Sequence, residues 1–347
     1  MKIAFILPSM ANKGPVIVAK DIIEVLVSRG HIVDLYFFDD KDELIIGASA
    51  KVKIAIKESI NFQEYDIIHS HGFRPDYYVW KYRRKIKGKC FSTMHNYIYD
   101  DLKYKYNKLS AIFFQWLWIR FLSRHDVIVV LSQDMKKYYS KWIKPSHIQV
   151  VYNGRSFSKA NVMISPNKAV ELDKLSKKYI VLGVIAQLVK RKGIDQIIRV
   201  LPDLKDFCLI IVGDGVEREN LESLAVRMRV ADRCYFVGYS NNGRQYLAWI
   251  NIYMMVSRSE GFPLSLIEAA SSGVPLVCSN IPIFTEMFNE NDVVFFKLED
   301  KESLKKAILT MHKKQTHFAE KVKVFYEERL TAEHMGSNYL HLYMSIF

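Results

Sequence analysis

"SRSEGFPLSLIEAASSGVP", residues 257–275, places two glutamates, Glu260 and Glu268, eight positions apart, with Gly-Phe-Pro after the first and Gly273 and Pro275 closing the segment. The apolar run "NIYMMVS" (251–257) reads as a strand that delivers the chain to Glu260, and "LSLIEAASSG" as a helix ending at Gly273. Pro263 suits the first helical turn, where its missing N–H costs nothing. The N–H groups of Gly261, Phe262, Leu264 and Ser265 are then orphan donors at a helix start. With the helix dipole they form an anion site suited to a phosphate. Gly261 permits close approach of a ligand to the backbone. Glu260 sits at the mouth, where a carboxylate accepts hydrogen bonds from sugar hydroxyls, and Glu268 further along the helix reaches a neighbouring diol such as a ribose. The plain alternative is a capping acid and a surface acid. Against it, Glu268 occupies a face that otherwise reads Leu, Ile and Ala, where an acid wants a partner.

Outward from this stretch, 347 residues exceed one comfortable core, so two domains are expected. Cys90, Cys208, Cys234 and Cys278 form no CxxC pair and sit in or beside apolar runs, which points to buried free thiols and a reducing cytoplasm. "MKIAFILPSM" is too short for a signal core and suits a first strand. The longest suspicious apolar segment, "AIFFQWLWIRFL" (111–122), is interrupted by Gln115 and Arg120. A spanning helix needs about 20 apolar residues. The net charge of +13 is uneven: residues 1–165 carry +11 and the remainder +2, with the densest patch in "YYVWKYRRKIKGK" (77–89). Such a surface suits nucleic acid, an anionic bilayer or plain solvent.

Apolar runs alternate with helical patterns along the whole chain. "KIAFILP" (2–8), "IVDLYFF" (32–38), "YDIIHSH" (65–71), "CFSTMH" (90–95), "DVIVVLS" (126–132) and "IQVVYNG" (148–154) form one series. The pattern lapses over 155–178, rich in Ser, Lys, Asn and Pro, and the domain boundary belongs there. "YIVLGVIA" (179–186), "FCLIIVG" (207–213), "CYFVG" (234–238), "NIYMMVS", "PLVCS" (275–279) and "DVVFF" (292–296) form a second series, and the tail from 301 reads as helices. Runs apolar on both faces imply parallel, doubly covered sheets. The expected fold class is α/β, with two Rossmann-like domains in tandem and a ligand cleft between them.

The opening stretch closely resembles the E-x7-E signature of retaining glycosyltransferases with the GT-B fold, the family 4 type. "LGVIAQLVKRKGIDQII", "LIIVGDGVERENLESLA", "VVYNG", "DIIHSHG" and "FSTMHN" resemble further segments of that family in the same order. The resemblance implies an acceptor-binding N-terminal domain over 1–160 and a nucleotide-sugar-binding C-terminal domain over 161–329. It also implies a C-terminal helix at about 330–347 crossing back to the first domain. It gives Glu260 the donor sugar and Glu268 the nucleotide ribose, and makes Lys192 the cation that neutralises the departing diphosphate. Read alone, "KRK" at 190–192 is also compatible with a solvated charge run. His95 is placed at the reaction centre, so the expected catalytic set is Glu260, His95 and Lys192. The expected donor set is Gly14, Gln187, Arg191, Lys192, Gly261, Phe262, Pro263, Leu264 and Glu268. This chain departs from the family where Gln187 replaces an arginine and Ala186 a glycine; either Arg191 or Lys190 supplies the missing cation or the site is weakened. Only Gly14 remains of the family's paired glycines after the first strand. His69 and His71 read as strand-end residues without a third metal ligand nearby, with His71 lining the acceptor side.

The implied activity is hexosyl transfer with retention from a nucleotide-diphosphate sugar, uridine preferred to guanosine, to a glycan or lipid-linked acceptor in bacterial surface polysaccharide synthesis, such as O-antigen or capsule. Neither metal nor cofactor is called for, and the short motif Asp40-Lys41-Asp42 reads as a solvated acidic turn. Lys81, Arg83, Arg84, Lys85 and an aromatic stripe around Trp116 and Trp118 suit peripheral docking on the inner face of the plasma membrane, with Trp116 and Trp118 as core residues the alternative. Three other readings compete. An oxidoreductase gains from Asp39 and Asp40 after the second strand but lacks GxGxxG in the first turn. A nucleic-acid-binding protein rests on the basic first half alone, and a nucleotide-sugar epimerase would share the fold.

Overall fold

The computed structural model describes residues 1–103, 107–157 and 164–346. The expected boundary at 160/161 and the terminal Phe347 lie outside the described residues. The chain divides into two compact units, Met1–Ser156 with Arg329–Phe347, and Phe157–Glu328.

The first unit is built on strands β1 (Lys2–Met10), β2 (Ile32–Asp42), β3 (Ala50–Lys53), β4 (Ile67–His71), β5 (Lys89–Met94), β6 (Val127–Val130) and β7 (Ile148–Val150). They pair in parallel in the order β3-β2-β1-β4-β5-β6-β7. The central strands are buried along almost their whole length, the consequence of continuous apolar runs covered by helices on both faces. The helix Ala332–Met344 completes this unit by packing on the helix Gly14–Ser28. Gly336 makes the crossing possible, because a Cβ there would fall 2.4 Å from the Val25 side chain. Beyond it Tyr339 and Tyr343 are fully buried, and their hydroxyls meet Thr93 Oγ1 at 3.0 Å and His69 Nδ1 at 2.5 Å.

The second unit carries β8 (Ile180–Ile185), β9 (Phe207–Val212), β10 (Cys234–Gly238), β11 (Ile252–Met255), β12 (Leu276–Ser279) and β13 (Val294–Phe296). Their order is β10-β9-β8-β11-β12-β13, again parallel. Leu182, Ile197, Leu209, Ile211, Met254 and Phe296 sit in its core. In each sheet the order reverses beside the first strand, between β1 and β4 and between β8 and β11. Doubly wound folds hold ligands at the carboxyl ends of the strands at that switch point.

Several local readings are corrected. β3 was not expected: its four residues, "AKVK", are all exposed on the sheet edge and carry no buried period. Asp40-Lys41-Asp42 is not a turn but the end of β2, with Asp40 paired to Lys53 across the edge. The segment read as a lapse contains the helix Pro166–Lys178, whose pattern is faint because Leu172 is its one buried residue. Arg83 is no free surface cation; it forks onto Asp126 at 3.1 and 3.0 Å and donates to backbone carbonyls. Trp116 and Trp118 do not share a stripe. Trp116 is 60% exposed, whereas Trp118 turns inward and donates its indole N–H to the buried Asp76 at 2.6 Å. No helix among the described residues is long and apolar enough to cross a membrane.

Asp76 also accepts from Ser70 Oγ at 2.6 Å, and His125 Nε2 lies 3.1 Å from the same hydroxyl. Burial pushes the Asp76 carboxyl up to about 6, against the pull of these hydrogen bonds. Burial drives the imidazoles the other way: His125 falls to about 4, His95 to about 3, and His69 and His71 lie well below their ordinary value. A histidine depressed in the folded state gives stability that is full above about pH 6.5 and is lost as pH falls toward the folded pKa. Asp76 and Asp21, whose carboxyl burial also raises to about 6, act oppositely between about pH 6 and 4, but they are two groups against four. Thermal melts followed by circular dichroism are therefore expected to drop between pH 7 and pH 5, with His125 alone accounting for about 2 kcal/mol. A transition temperature unchanged over that range contradicts this account.

Candidate active site

Two loops meet at the switch point of the second sheet, one leaving β8 and one leaving β11. The first makes a single 3-10 turn at Lys190–Lys192 and passes through Gly193 at φ +67° into the helix Ile194–Val200. Gly193 is required there: a Cβ would lie 2.2 Å from the Val256 carbonyl oxygen, and a left-handed backbone disfavours any other residue. The second loop runs Val256–Pro263 into the helix Leu264–Ser271.

Arg258 ties the loops together. Its guanidinium forks onto Asp195 with both bonds at 3.0 Å, donates to the Lys190 carbonyl at 2.6 Å and reaches Glu299 at 2.5 Å. Its amide donates to the Arg191 carbonyl at 2.8 Å. Gln196 adds a bond from Nε2 to the Val256 carbonyl at 2.9 Å. These residues carry no motif signal; only the folded loops bring them together.

Inside this brace lies Glu260, 5% exposed. Lys192 Nζ donates to its Oε1 at 2.6 Å, as does Ser257 Oγ at 2.6 Å, and Arg191 donates to Oε2 at 3.0 Å and to the Ser259 carbonyl at 2.6 Å. Burial alone would raise the Glu260 carboxyl, but Lys192 and Arg191 outweigh it and hold the group below the usual carboxylate range. The site therefore keeps one ionised acid and two cations at the start of a helix. That helix opens at Leu264 rather than Pro263, which is its N-cap and offers no side-chain acceptor to the first-turn amides. The correction has a simple cause: proline's ring fixes φ but not ψ, and ψ here is extended at 119°.

Of the residues singled out from the sequence, Arg191, Lys192 and Glu260 share one ion cluster, and Gly261, Phe262, Pro263 and Leu264 continue from it. Gly261, Phe262 and Pro263 are buried. Gln187 and Lys190 are exposed, and Arg191 is the second cation in contact with Glu260. Glu268 is not on the apolar face: Leu266, Ile267, Ala269 and Ala270 are buried, whereas Glu268 shares the partly exposed face of Leu264 and Ser265. Gly14 begins the helix after β1, and His95 follows β5, both in the first unit. His69 is hydrogen bonded through both ring nitrogens, to Tyr343 and to Thr93 at 2.8 Å, so neither is open to a ligand.

A doubly wound unit with a buried carboxylate and two cations beside a helix start at its switch point has the chemistry to suit a phosphorylated, hydroxyl-bearing ligand. The comparisons with known proteins identify the family. Residues 168–337 match the model "Glycosyl transferases group 1" and residues 13–158 match "Glycosyltransferase Family 4". The O-antigen biosynthesis glycosyltransferase WclY of Escherichia coli is 31% identical over all of this chain and 99% of its own. A second E. coli relative, UDP-Gal:alpha-D-GlcNAc-diphosphoundecaprenol alpha-1,3-galactosyltransferase, is 24% identical over 67% of this chain and 62% of its own. The crystal structure of Anabaena Alr3699/HepE in complex with UDP superposes with a TM-score of 0.80 at 16% identity, covering 99% of this chain and 100% of the other, a likeness of fold. The chain belongs to the family 4 type of glycosyltransferase, with the GT-B fold.

Replacing Gly193 by alanine is expected to cost at least about 2 kcal/mol in urea denaturation, from backbone strain plus the clash with the Val256 carbonyl. A variant as stable as the parent would show that the loops have another way to meet.

Proposed function

We propose that the protein transfers a hexosyl unit, with retention of configuration and without metal, from a uridine-diphosphate sugar to a lipid-linked or glycan acceptor in bacterial surface polysaccharide synthesis. The observation that carries this reading is the single buried carboxylate held by Lys192 and Arg191 at the start of the helix Leu264–Ser271. A departing diphosphate needs fixed positive charge and backbone N–H groups, and in this reading Lys192, Arg191 and the first-turn amides of that helix supply them. Glu260 then orients the sugar by accepting from its hydroxyls, while Glu268 accepts from the ribose. In the free protein the two cations are engaged by Glu260, so donor binding shares them between carboxylate and phosphate. Fixed cations do the work otherwise given to a metal. The names of the full-length O-antigen relative and of the galactosyltransferase acting on a lipid-diphosphate sugar support the pathway and acceptor class, and the UDP complex of the fold neighbour supports the carrier.

The enzyme is expected to hydrolyse or transfer one member of a nucleotide-sugar panel in the presence of EDTA, releasing the anomer with the donor's configuration by NMR. Lys192→Ala and Glu260→Ala are each expected to lower kcat/KM about 10²–10³-fold. A requirement for added divalent cation or an inverted product overturns those parts of the proposal. Conversion of the donor without an acceptor and without hydrolysis would make it an epimerase.

Peripheral membrane docking at the cytoplasmic face is the second part of the reading. The helix Lys108–Leu122 leaves Leu109, Ile112, Phe113 and Trp116 exposed at 81, 54, 56 and 60%, a spacing that aligns them on one face. Exposed Lys108 and Arg120 lie on the same helix. An apolar face beside basic residues suits an anionic bilayer. Sedimentation with phosphatidylglycerol vesicles at low salt is expected to pull down the protein, and Phe113→Ala with Trp116→Ala to reduce this about tenfold or more. Equal sedimentation of the double variant removes this surface from the proposal.

A further inference from the structure

β8 and β11 run side by side only as far as the pair Gly183 and Tyr253. Beyond it the second sheet splits. β8 stays with β9 out to Ile185 opposite Val212, while β11 stays with β12 out to Met255 opposite Cys278. The two strand ends then launch the loops that carry Lys192 and Glu260. At the split, β8 has lost its neighbour on one side. The Ala186 amide donates to the Val212 carbonyl of β9, so the N–H and C=O of Ile185 point the other way, into the gap. Backbone groups withdrawn from water need partners.

Tyr253 supplies both. Its hydroxyl accepts from the Ile185 N–H at 3.1 Å and donates to the Ile185 carbonyl at 3.1 Å. The side chain is 1% exposed. Burial pushes the phenol above its ordinary value, so it stays a neutral hydroxyl that gives one hydrogen bond and can take two. The Ser265 hydroxyl, in the first turn of the helix Leu264–Ser271, bears on the phenol and opposes that rise. Tyr253, Ser265, Lys192 and Ser257 also line one small cavity of about 10 Å³, room for about one water. A single hydroxyl therefore stands where strand pairing stops, between the end of β8 and the start of the helix. Arg258 joins the two loops to each other, whereas Tyr253 joins the elements on which they are mounted. A phenylalanine would fill the same space apart from one oxygen. Ile185 would then find its partner in a water or in the backbone of β11, and pairing with β11 would close the split.

We propose that Tyr253 is a positioning residue for glycosyl transfer: its hydroxyl, bonded to both backbone groups of Ile185 and set against Ser265, holds the split between β8 and β11 at the width at which Lys192 and Arg191 meet Glu260. This rests on the transferase reading for its effect on turnover, but not for the contact itself. Tyr253 acts through the loops and not by touching the donor.

Amide hydrogen exchange of the free protein, read by NMR, tests the contact. In Tyr253→Phe the Ile185 amide is expected to exchange about tenfold faster or more, while Leu182 inside the strand keeps its protection. Unchanged exchange at Ile185 overturns the contact. In kinetics with the member of a UDP-sugar panel that the parent turns over, Tyr253→Phe is expected to lower kcat about tenfold or more, as displaced groups do. Ile308→Val, a core change elsewhere in the unit, controls for lost stability and is expected to keep the parental kcat. Parental kcat in Tyr253→Phe, or an equal loss in the control, overturns the positioning role. Ser265→Ala is expected to lose about threefold, and the double variant no more than Tyr253→Phe alone, because residues in contact do not add. Additive losses overturn the part given to Ser265. If the parent turns over no nucleotide sugar, the transferase reading fails and the exchange result still decides the contact. Should Tyr253→Phe fail to fold, Ser265→Ala carries the kinetics, and an unprotected Ile185 amide in the parent overturns the contact.

Discussion

Glu260 is a carboxylate taken almost wholly out of water, and it stays ionised only because Lys192 and Arg191 meet its two oxygens. Much of the second unit follows from that requirement. The cations come from one loop and the acid from another, so the loops must be held in register to within an ångström. Gly193 gives the close approach, Arg258 and Asp195 pin the two backbones, and Ser257 fixes the carboxylate from below. A buried pair contributes little net stability, because desolvation offsets attraction. Its value lies in preorganisation: two cations and an ionised carboxylate are held in fixed positions ahead of the helix Leu264–Ser271.

The first unit solves a different problem with the same topology. Its switch point is lined by histidines that burial keeps neutral, so it offers directed hydrogen bonds instead of charge. One of them, His69, is closed off by Tyr343 and Thr93 from either side. The other two, His71 and His95, each keep one ring nitrogen without a partner among the described residues. Tyr343 comes from the far end of the chain, so the C-terminal helix is part of this unit's core and helps set which histidine is inert.

The α/β class, the doubly wound series and nearly every strand could be read from the chain, because parallel strands buried on both faces leave continuous apolar runs that need no partner to be recognised. β3 escaped for the converse reason: "AKVK" lies exposed at an edge and is a strand only through pairing with β2. The helix Pro166–Lys178 escaped because it buries a single leucine. The spacing of Glu260 and Glu268, the lysine–glycine pair and the histidine after β5 were also legible, since each sits at a fixed distance from a strand end.

The sequence by itself determined which residue types stand at the ends of which strands, and with them the family and the ligand chemistry to expect. Tertiary structure alone decided which of those residues touch. Lys192 and Glu260 are 68 positions apart and Arg258 and Asp195 are 63, so no local pattern encodes their contact. Likewise only folding turned Trp118 inward and Trp116 outward, and only folding paired His71 with His95. Periodicity records burial along one element, whereas a site is made where several elements end, and that meeting is written in the packing.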